Sequence, residues 1–292
     1  MNPFIVEIAT RPLVCDGAMG TMLYTNGVFV NRAFEELNLT QPELVADLHR
    51  RYFDAGAEVL ETNTFGANRV RLESFGIVDQ LIDINVAGVR LARAVAGPRA
   101  YVAASIGPLG IPVGPGGAMS VEEAERHFQE QAKALLLVDG GVDLFILETF
   151  GAVKEIGAAI RALRGVSKLP LVAQMTTGDS GDTADGTTPE AFTTYLVNEG
   201  ATVVGVNCST GPTSMLETIE RLGAVTTVPL AAQPNAGLPR LMEGRTLYMS
   251  SPAYLASYAR RFVGLGVKLV GGCCGTTPDH IRYIREAIGQ PF

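Results

Sequence analysis

The fold this sequence predicts is α/β, a single-domain (β/α)8 barrel of the TIM type, and three observations carry that expectation. Short apolar runs rich in β-formers alternate with amphipathic stretches of helical period, the pattern of a parallel sheet. Eight such runs are present, near residues 12–17, 59–65, 101–108, 144–150, 171–177, 203–209, 228–234 and 269–275. The first leads into Cys15-Asp16-Gly17-Ala18-Met19-Gly20, where Gly17 and Gly20 lack the third glycine of the nucleotide loop usual in open doubly wound sheets. Eight units can close on themselves, so one barrel domain is expected over residues 1–292. A chain of 292 residues, 47% hydrophobic and 18% charged, can bury one large core.

The intervening helices announce themselves through start signals. Thr40-Gln41-Pro42-Glu43, Ser120-Val121-Glu122-Glu123, Thr187-Thr188-Pro189-Glu190 and Thr276-Thr277-Pro278-Asp279 all have the Ser/Thr-x-x-Glu/Asp form. In that form the first hydroxyl caps an orphan N–H and the acid faces the helix dipole. After Thr40, Leu44, Leu48 and Tyr52 fall four apart, Val45 and Phe53 widen the stripe, and Gly56 ends it. The Gly/Pro-rich segment 107–117 and the segment from Gln233 to about Ser250 are long for βα loops and read as rim loops.

Composition excludes several partner classes. A formal charge of -7, with no dense Lys/Arg cluster, argues against a nucleic-acid face. No run of about 18 apolar residues is present to span a membrane. The N-terminus lacks a basic region followed by a long apolar stretch, so it does not read as a secretory signal. Four cysteines are too few for a disulfide scaffold in a chain of this length, and a reducing cytoplasm is the expected location.

Active sites of such barrels sit at the C-terminal ends of the strands. Those ends carry Asp16, Glu61-Thr62-Asn63-Thr64, Ser105, Glu148-Thr149, Gln174, Asn207-Cys208-Ser209, Gln233-Pro234-Asn235 and Cys273-Cys274. Any one of these polar groups can equally cap the next helix. The cysteines are the sharper signal, because Cys208 ends the sixth predicted strand and Cys273-Cys274 end the eighth. Adjacent residues of a regular strand face opposite ways, so both reach one metal only if the pleat is broken, for which Gly271, Gly272 and Gly275 supply freedom. Three thiolates suit zinc with a fourth position open. His49, His127 and His280 all fall in predicted helices, so no histidine completes the set. Buried inert thiols, the alternative, fit Cys15 better than Gly-Gly-Cys-Cys-Gly. A three-thiolate zinc centre is a weak Lewis acid toward water and favours a soft sulfur ligand, which points to thiol alkylation rather than hydrolysis.

The segments Asp16-Gly17-Ala18-Met19-Gly20-Thr21, Glu61-Thr62-Asn63-Thr64-Phe65, Gly205-Val206-Asn207-Cys208-Ser209, Gln233-Pro234-Asn235-Ala236-Gly237 and Gly271-Gly272-Cys273-Cys274-Gly275-Thr276-Thr277-Pro278 resemble the homocysteine S-methyltransferase family, in order along nearly the whole chain. Within it they are most similar to the homocysteine module of cobalamin-dependent methionine synthase and to the N-terminal half of bifunctional proteins that add a methylenetetrahydrofolate reductase. The resemblance implies a zinc barrel that binds L-homocysteine and yields methionine. By the same resemblance Cys208, Cys273 and Cys274 are the zinc ligands, and Asp16, Gly17, Thr62 and Glu148 contact the homocysteine backbone. Asn235 lies where its side-chain oxygen would fill zinc's open position before substrate arrives. No folate, cobalamin or reductase module is recognised in the sequence, so the methyl donor stays open. It is methylcobalamin or methyltetrahydrofolate carried by another domain or protein, or S-methylmethionine or another activated donor taken directly. Selenocysteine or another thiol as acceptor, and a non-catalytic barrel with structural zinc, are the competing readings.

Overall fold

The computed structural model describes residues 2–29, 31–209, 211–242 and 245–289. Seven strands come first: β1 (Leu13–Val14), β2 (Val59–Glu61), β3 (Tyr101–Ile106), β4 (Leu144–Phe150), β5 (Leu171–Met175), β6 (Val203–Cys208) and β7 (Leu230–Pro234). An antiparallel pair, β8 (Arg240–Met242) and β9 (Arg245–Leu247), follows, and β10 (Val267–Val270) ends the series. All but the antiparallel pair form one parallel sheet of eight strands in the order β1-β10-β7-β6-β5-β4-β3-β2. A parallel bridge from Cys15 to Val59 joins the two ends of that order. Across this seam Asp16 N donates to Val59 O at 3.0 Å, and Glu58 N to Val14 O at 2.7 Å. The sheet therefore closes into the (β/α)8 barrel that the alternation predicts.

Period-2 alternation explains where the core ends and the site begins. Every barrel strand contributes to one apolar cluster, including Leu13, Val59, Ala103, Ile146, Val172, Val203, Ala231 and Leu269, and only the barrel interior is common to all eight. Two residues onward, toward the C-terminal ends, the same inward row reads Cys15, Glu61, Ser105, Glu148, Gln174, Gly205, Gln233 and Gly271. The interior thus changes from hydrocarbon to polar groups within one layer. The N-terminal helix Pro3–Thr10, absent from the sequence expectation, adds Phe4 and Ile8 to the apolar cluster from below. The outward faces pack with the surrounding helices into a larger second cluster.

Helix starts differ from expectation by one residue wherever proline intervenes. Ser120 caps as expected, its side chain accepting from Glu123 N. The caps of the helices Pro42–Asp54, Pro189–Glu199 and Pro278–Ile288 are Gln41, Thr188 and Thr277, rather than Thr40, Thr187 and Thr276. Proline takes the first helical position because its missing N–H would be orphaned there anyway, and this shifts the cap to the preceding residue. The stripe after Gln41 is as expected, with Val45, Leu48 and Tyr52 buried. The three histidines lie in helices. The segment 233–250 is not plain loop: it carries the β8–β9 pair, whose connecting residues 243 and 244 lie outside the described residues.

Candidate active site

Several strands stop earlier than the apolar runs because the chain bends over the rim. Cys273 and Cys274 are not the end of a strand: β10 stops at Val270, and the pair enters a turn in which Thr276 N donates to Cys273 O at 3.1 Å. Of the three glycines expected to free this turn, Gly275 has a left-handed φ of 79°. Gly271 and Gly272 serve by being small instead, since a Cβ on Gly272 would stand 2.5 Å from Thr276 and one on Gly271 2.8 Å from Asp16 O.

On the facing strand Cys208 is itself left-handed, with φ 58°. Among the described residues only Thr149, Cys208 and Ser209 combine a side chain with positive φ, and all three sit at the ends of β4 and β6. Such backbone is costly and persists where neighbours over-determine it. Here Asn207 Oδ1 accepts from Thr149 N at 2.7 Å, and Ser209 Oγ accepts from Thr177 N at 2.7 Å. The result is convergence: the three sulfurs lie within 4.8 Å of one another, with Cys208 Sγ and Cys274 Sγ 3.7 Å apart. Hydrogen bonds from Cys208 and Cys273 pull the Cys274 thiol down to about 3, while those from Cys208 and Cys274 push Cys273 well up. The trio accepts one negative charge readily and resists a second without a cation.

Beside the sulfurs is a cavity of about 290 Å³. Met19, Phe34 and Phe65 give it apolar walls; Asp16, Gly17, Glu61, Thr62, Ser105 and Glu148 give it polar ones. No Lys, Arg or His lines it among the described residues. Burial, opposed by a hydrogen bond from Glu61 N, holds Asp16 well above the usual carboxylate range. Burial and the charge of Glu61 do the same to Glu148, and burial with the charge of Asp16 raises Glu61 to about 7. Ser105 Oγ donates to Glu148 Oε1 at 2.5 Å, and Gln233 Nε2 to Glu61 Oε1 at 2.8 Å. Three acids without a cation form a site for a positively charged group.

The structure brings together Asp16, Gly17, Thr62, Glu148 and the three cysteines at this cavity. Asp16 has a second task, accepting from Glu61 N at 3.0 Å across the barrel seam. Gly17 must be glycine, since a Cβ would stand 2.7 Å from Thr276 Oγ1 and 2.9 Å from the Tyr52 ring. The Thr62 hydroxyl is already engaged. It accepts from Ser105 N and stands 2.5 Å from Thr64 Oγ1, whose own proton goes to Ser105 O. Asn235 is not among the residues lining the cavity, but it sits between two residues tied to the cysteines: Pro234 O accepts from Cys273 N and Ala236 N donates to Cys274 O, both at 2.9 Å. Its Nδ2 donates to Ser209 O at 3.2 Å and its Oδ1 is buried without a partner. Glu61, Ser105, Asn207 and Gln233 were visible only as polar strand ends; the inward step of two from the apolar layer singles out Glu61, Ser105 and Gln233, and Asn207 lies one such step further along its strand.

The family model for homocysteine S-methyltransferases matches residues 13–288. The chain belongs to the homocysteine S-methyltransferase family. It is 35% identical to the methionine synthases of Mycobacterium leprae and Mycobacterium tuberculosis, over 97% of this chain and 25% of each of those proteins. It therefore spans about a quarter of their length. The metallated form of the homocysteine methyltransferase MmuM from Escherichia coli superposes with a TM-score of 0.79 at 25% identity, over 94% of this chain and 96% of that one. Members of this family are methyltransferases, and this homocysteine S-methyltransferase barrel has its cavity at the barrel mouth. No helix among its described residues is long and apolar enough to cross a membrane.

Proposed function

We propose that the chain is a zinc-dependent homocysteine S-methyltransferase that forms methionine, with Cys208, Cys273 and Cys274 as metal ligands. The observation that carries this is the sulfur spacing beside an acid-lined cavity. Two sulfurs at the zinc–thiolate distance on a tetrahedral centre stand about 3.8 Å apart, and Cys208 and Cys274 stand 3.7 Å apart. The orphaned Oδ1 of Asn235, next to that turn, fits a group that fills an open metal position until substrate sulfur arrives. When bound, zinc supplies a soft centre that holds a thiol as thiolate at neutral pH.

The remaining residues bind and orient. Glu148 and Asp16 receive the substrate ammonium, whose charge answers the acid excess of the cavity. The main chain at Gly17, which lines the cavity, receives the substrate carboxylate. Thr62 sets the wall through Thr64 and Ser105 rather than by offering a free hydroxyl. Glu148 serves the ammonium and not as a general base, because methyl transfer to sulfur removes no proton from the donor. The donor is methylcobalamin or methyltetrahydrofolate carried by another domain or protein, in keeping with the span of a quarter of a methionine synthase. Zinc-edge X-ray absorption tests the metal reading: the sulfur count should rise from three to four on adding L-homocysteine. An unchanged count with homocysteine bound would refute it. Methyl transfer to homocysteine from methylcobalamin, methylfolate, S-methylmethionine and betaine identifies the donor, and no transfer from any of them would refute the activity.

A further inference from the structure

Two rim segments must stand a set distance apart if one small molecule is to touch both. The segment after β1, from Asp16 to Thr21, lies along one wall of the cavity, and the turn after β10, from Cys273 to Thr276, carries two of the three sulfurs. Thr276 stands between them, wholly buried. Its Oγ1 accepts from Ala18 N at 3.1 Å and donates to Cys273 O at 2.7 Å, so one hydroxyl is bonded to each segment. The side chain also fills the gap: a Cβ on Gly17 would stand 2.7 Å from that oxygen, and a Cβ on Gly272 2.5 Å from the Thr276 methyl carbon. The Tyr52 hydroxyl, equally buried, lies 2.7 Å from Ala18 O and 3.2 Å from Thr276 O and braces the same two segments. Gly272 N donates to Asp16 O at 3.1 Å, and Gly275 N to Thr21 Oγ1 at 3.0 Å.

We propose that Thr276 is a positioning residue that sets the span between the metal turn and the amino-acid-binding segment. It thereby selects a thiol amino acid with two methylenes between sulfur and α-carbon over one with a single methylene. This rests on reading the cavity as the homocysteine site, with Asp16 and Gly17 at the amino-acid end. The substrate makes no bond to Thr276 itself. Its sulfur is held at the cysteines and its carboxylate at the Gly17 main chain, and the link between them changes only by whole methylenes, each about 1.5 Å of bond. A gap closed by hydrogen bonds to both sides of one oxygen is stiff on that scale. Homocysteine reaches both ends, and cysteine satisfies one end at a time.

Thr276→Val keeps the shape and the methyl packing and removes both hydrogen bonds. In the zinc-loaded protein, calorimetry should find L-homocysteine binding weakened by roughly tenfold, with L-cysteine little altered, so the preference between the two falls by the same factor. 1-Propanethiol, which has the thiol and no amino-acid end, should bind as it does to the wild type. Thr276→Ser restores the hydroxyl and should recover most of the loss. Tyr52→Phe removes the second brace with Thr276 in place and should lower homocysteine affinity by roughly threefold. An equal loss for 1-propanethiol would mean that Thr276 serves the metal turn alone and would overturn the proposal. Unchanged homocysteine affinity in Thr276→Val, or a serine variant no better than the valine one, would overturn it too. If Thr276→Val does not fold, an unchanged preference for homocysteine over cysteine in Tyr52→Phe decides against it. Homocysteine that binds the wild type without its sulfur reaching zinc, as X-ray absorption would register, would instead overturn the reading of the site on which the proposal rests.

Discussion

Replacing Glu61 with glutamine should change how the stability of the metal-free barrel responds to pH. The Glu61 carboxyl rises from 4.5 to about 7, first through burial and then through the charge of Asp16. A carboxyl raised on folding favours the fold while it is protonated. Its contribution is complete below pH 4.5 and is lost as pH climbs through about 7. At 1.36 kcal/mol per pH unit the whole change is about 3 kcal/mol, of which about 2.5 falls between pH 5 and pH 8. Glu61→Gln removes the titration while keeping the shape, so its stability should not share that fall. Urea unfolding of reduced, chelator-treated wild type and variant at pH 5, 6.5 and 8 measures the difference. The wild type should lose about 2.5 kcal/mol more than the variant across this range. If the two lose the same amount within about 0.5 kcal/mol, burial is not holding the proton on Glu61 and the reasoning fails.

Three further outcomes are expected. Cys208→Ser, Cys273→Ser and Cys274→Ser should each lower zinc content and abolish methyl transfer with little change in melting temperature, because the ligands sit at the rim of a large core; a variant with full zinc and activity would exclude that residue as a ligand. Glu148→Gln should weaken L-homocysteine binding by roughly tenfold to a hundredfold, the worth of a charge-assisted contact, with 4-mercaptobutyrate affinity unchanged; a reduced methyl-transfer rate at unchanged affinity would contradict the assignment. Asp16→Ala should cost about 1–3 kcal/mol of stability by orphaning Glu61 N, whereas Asp16→Asn keeps an acceptor there and should recover most of it, as thermal unfolding would register.

What could be read from the residues was the part governed by period and residue chemistry. Alternating runs disclosed the barrel, and the thiols at 208, 273 and 274 disclosed one another, since few structural roles demand Gly-Gly-Cys-Cys-Gly. Strand ends were harder. An apolar run such as Leu269-Val270 continues into Gly271 without any local mark of where ladder pairing stops, because that is set by the neighbouring strand. The left-handed turns at Thr149 and Cys208 left no trace at all, as neither residue type prefers that conformation and the bond that holds Thr149 N comes from Asn207, remote from it in sequence. The partnership of Glu61 with Gln233 was likewise hidden, since it depends on two strands of a closed ring meeting across its interior. The helix from Pro3 to Thr10 lacked the length for a clear period and gained its place through Phe4 and Ile8 beneath the barrel.

The join between β1 and β2 is the shortest in the ring, and its two sides carry different pieces of the same pocket: Asp16 on one, Glu61 on the other. A folding chain can assemble the long central strands while this join stands open, and an open join parts Asp16 from Glu61. On the proposed reading of the cavity, competence to hold an amino acid would be acquired at ring closure and not before. A newly made chain that has collapsed but not closed would bury most of its hydrocarbon and still be invisible to its substrate, and substrate, by gripping both sides, would act as a clasp on the finished ring.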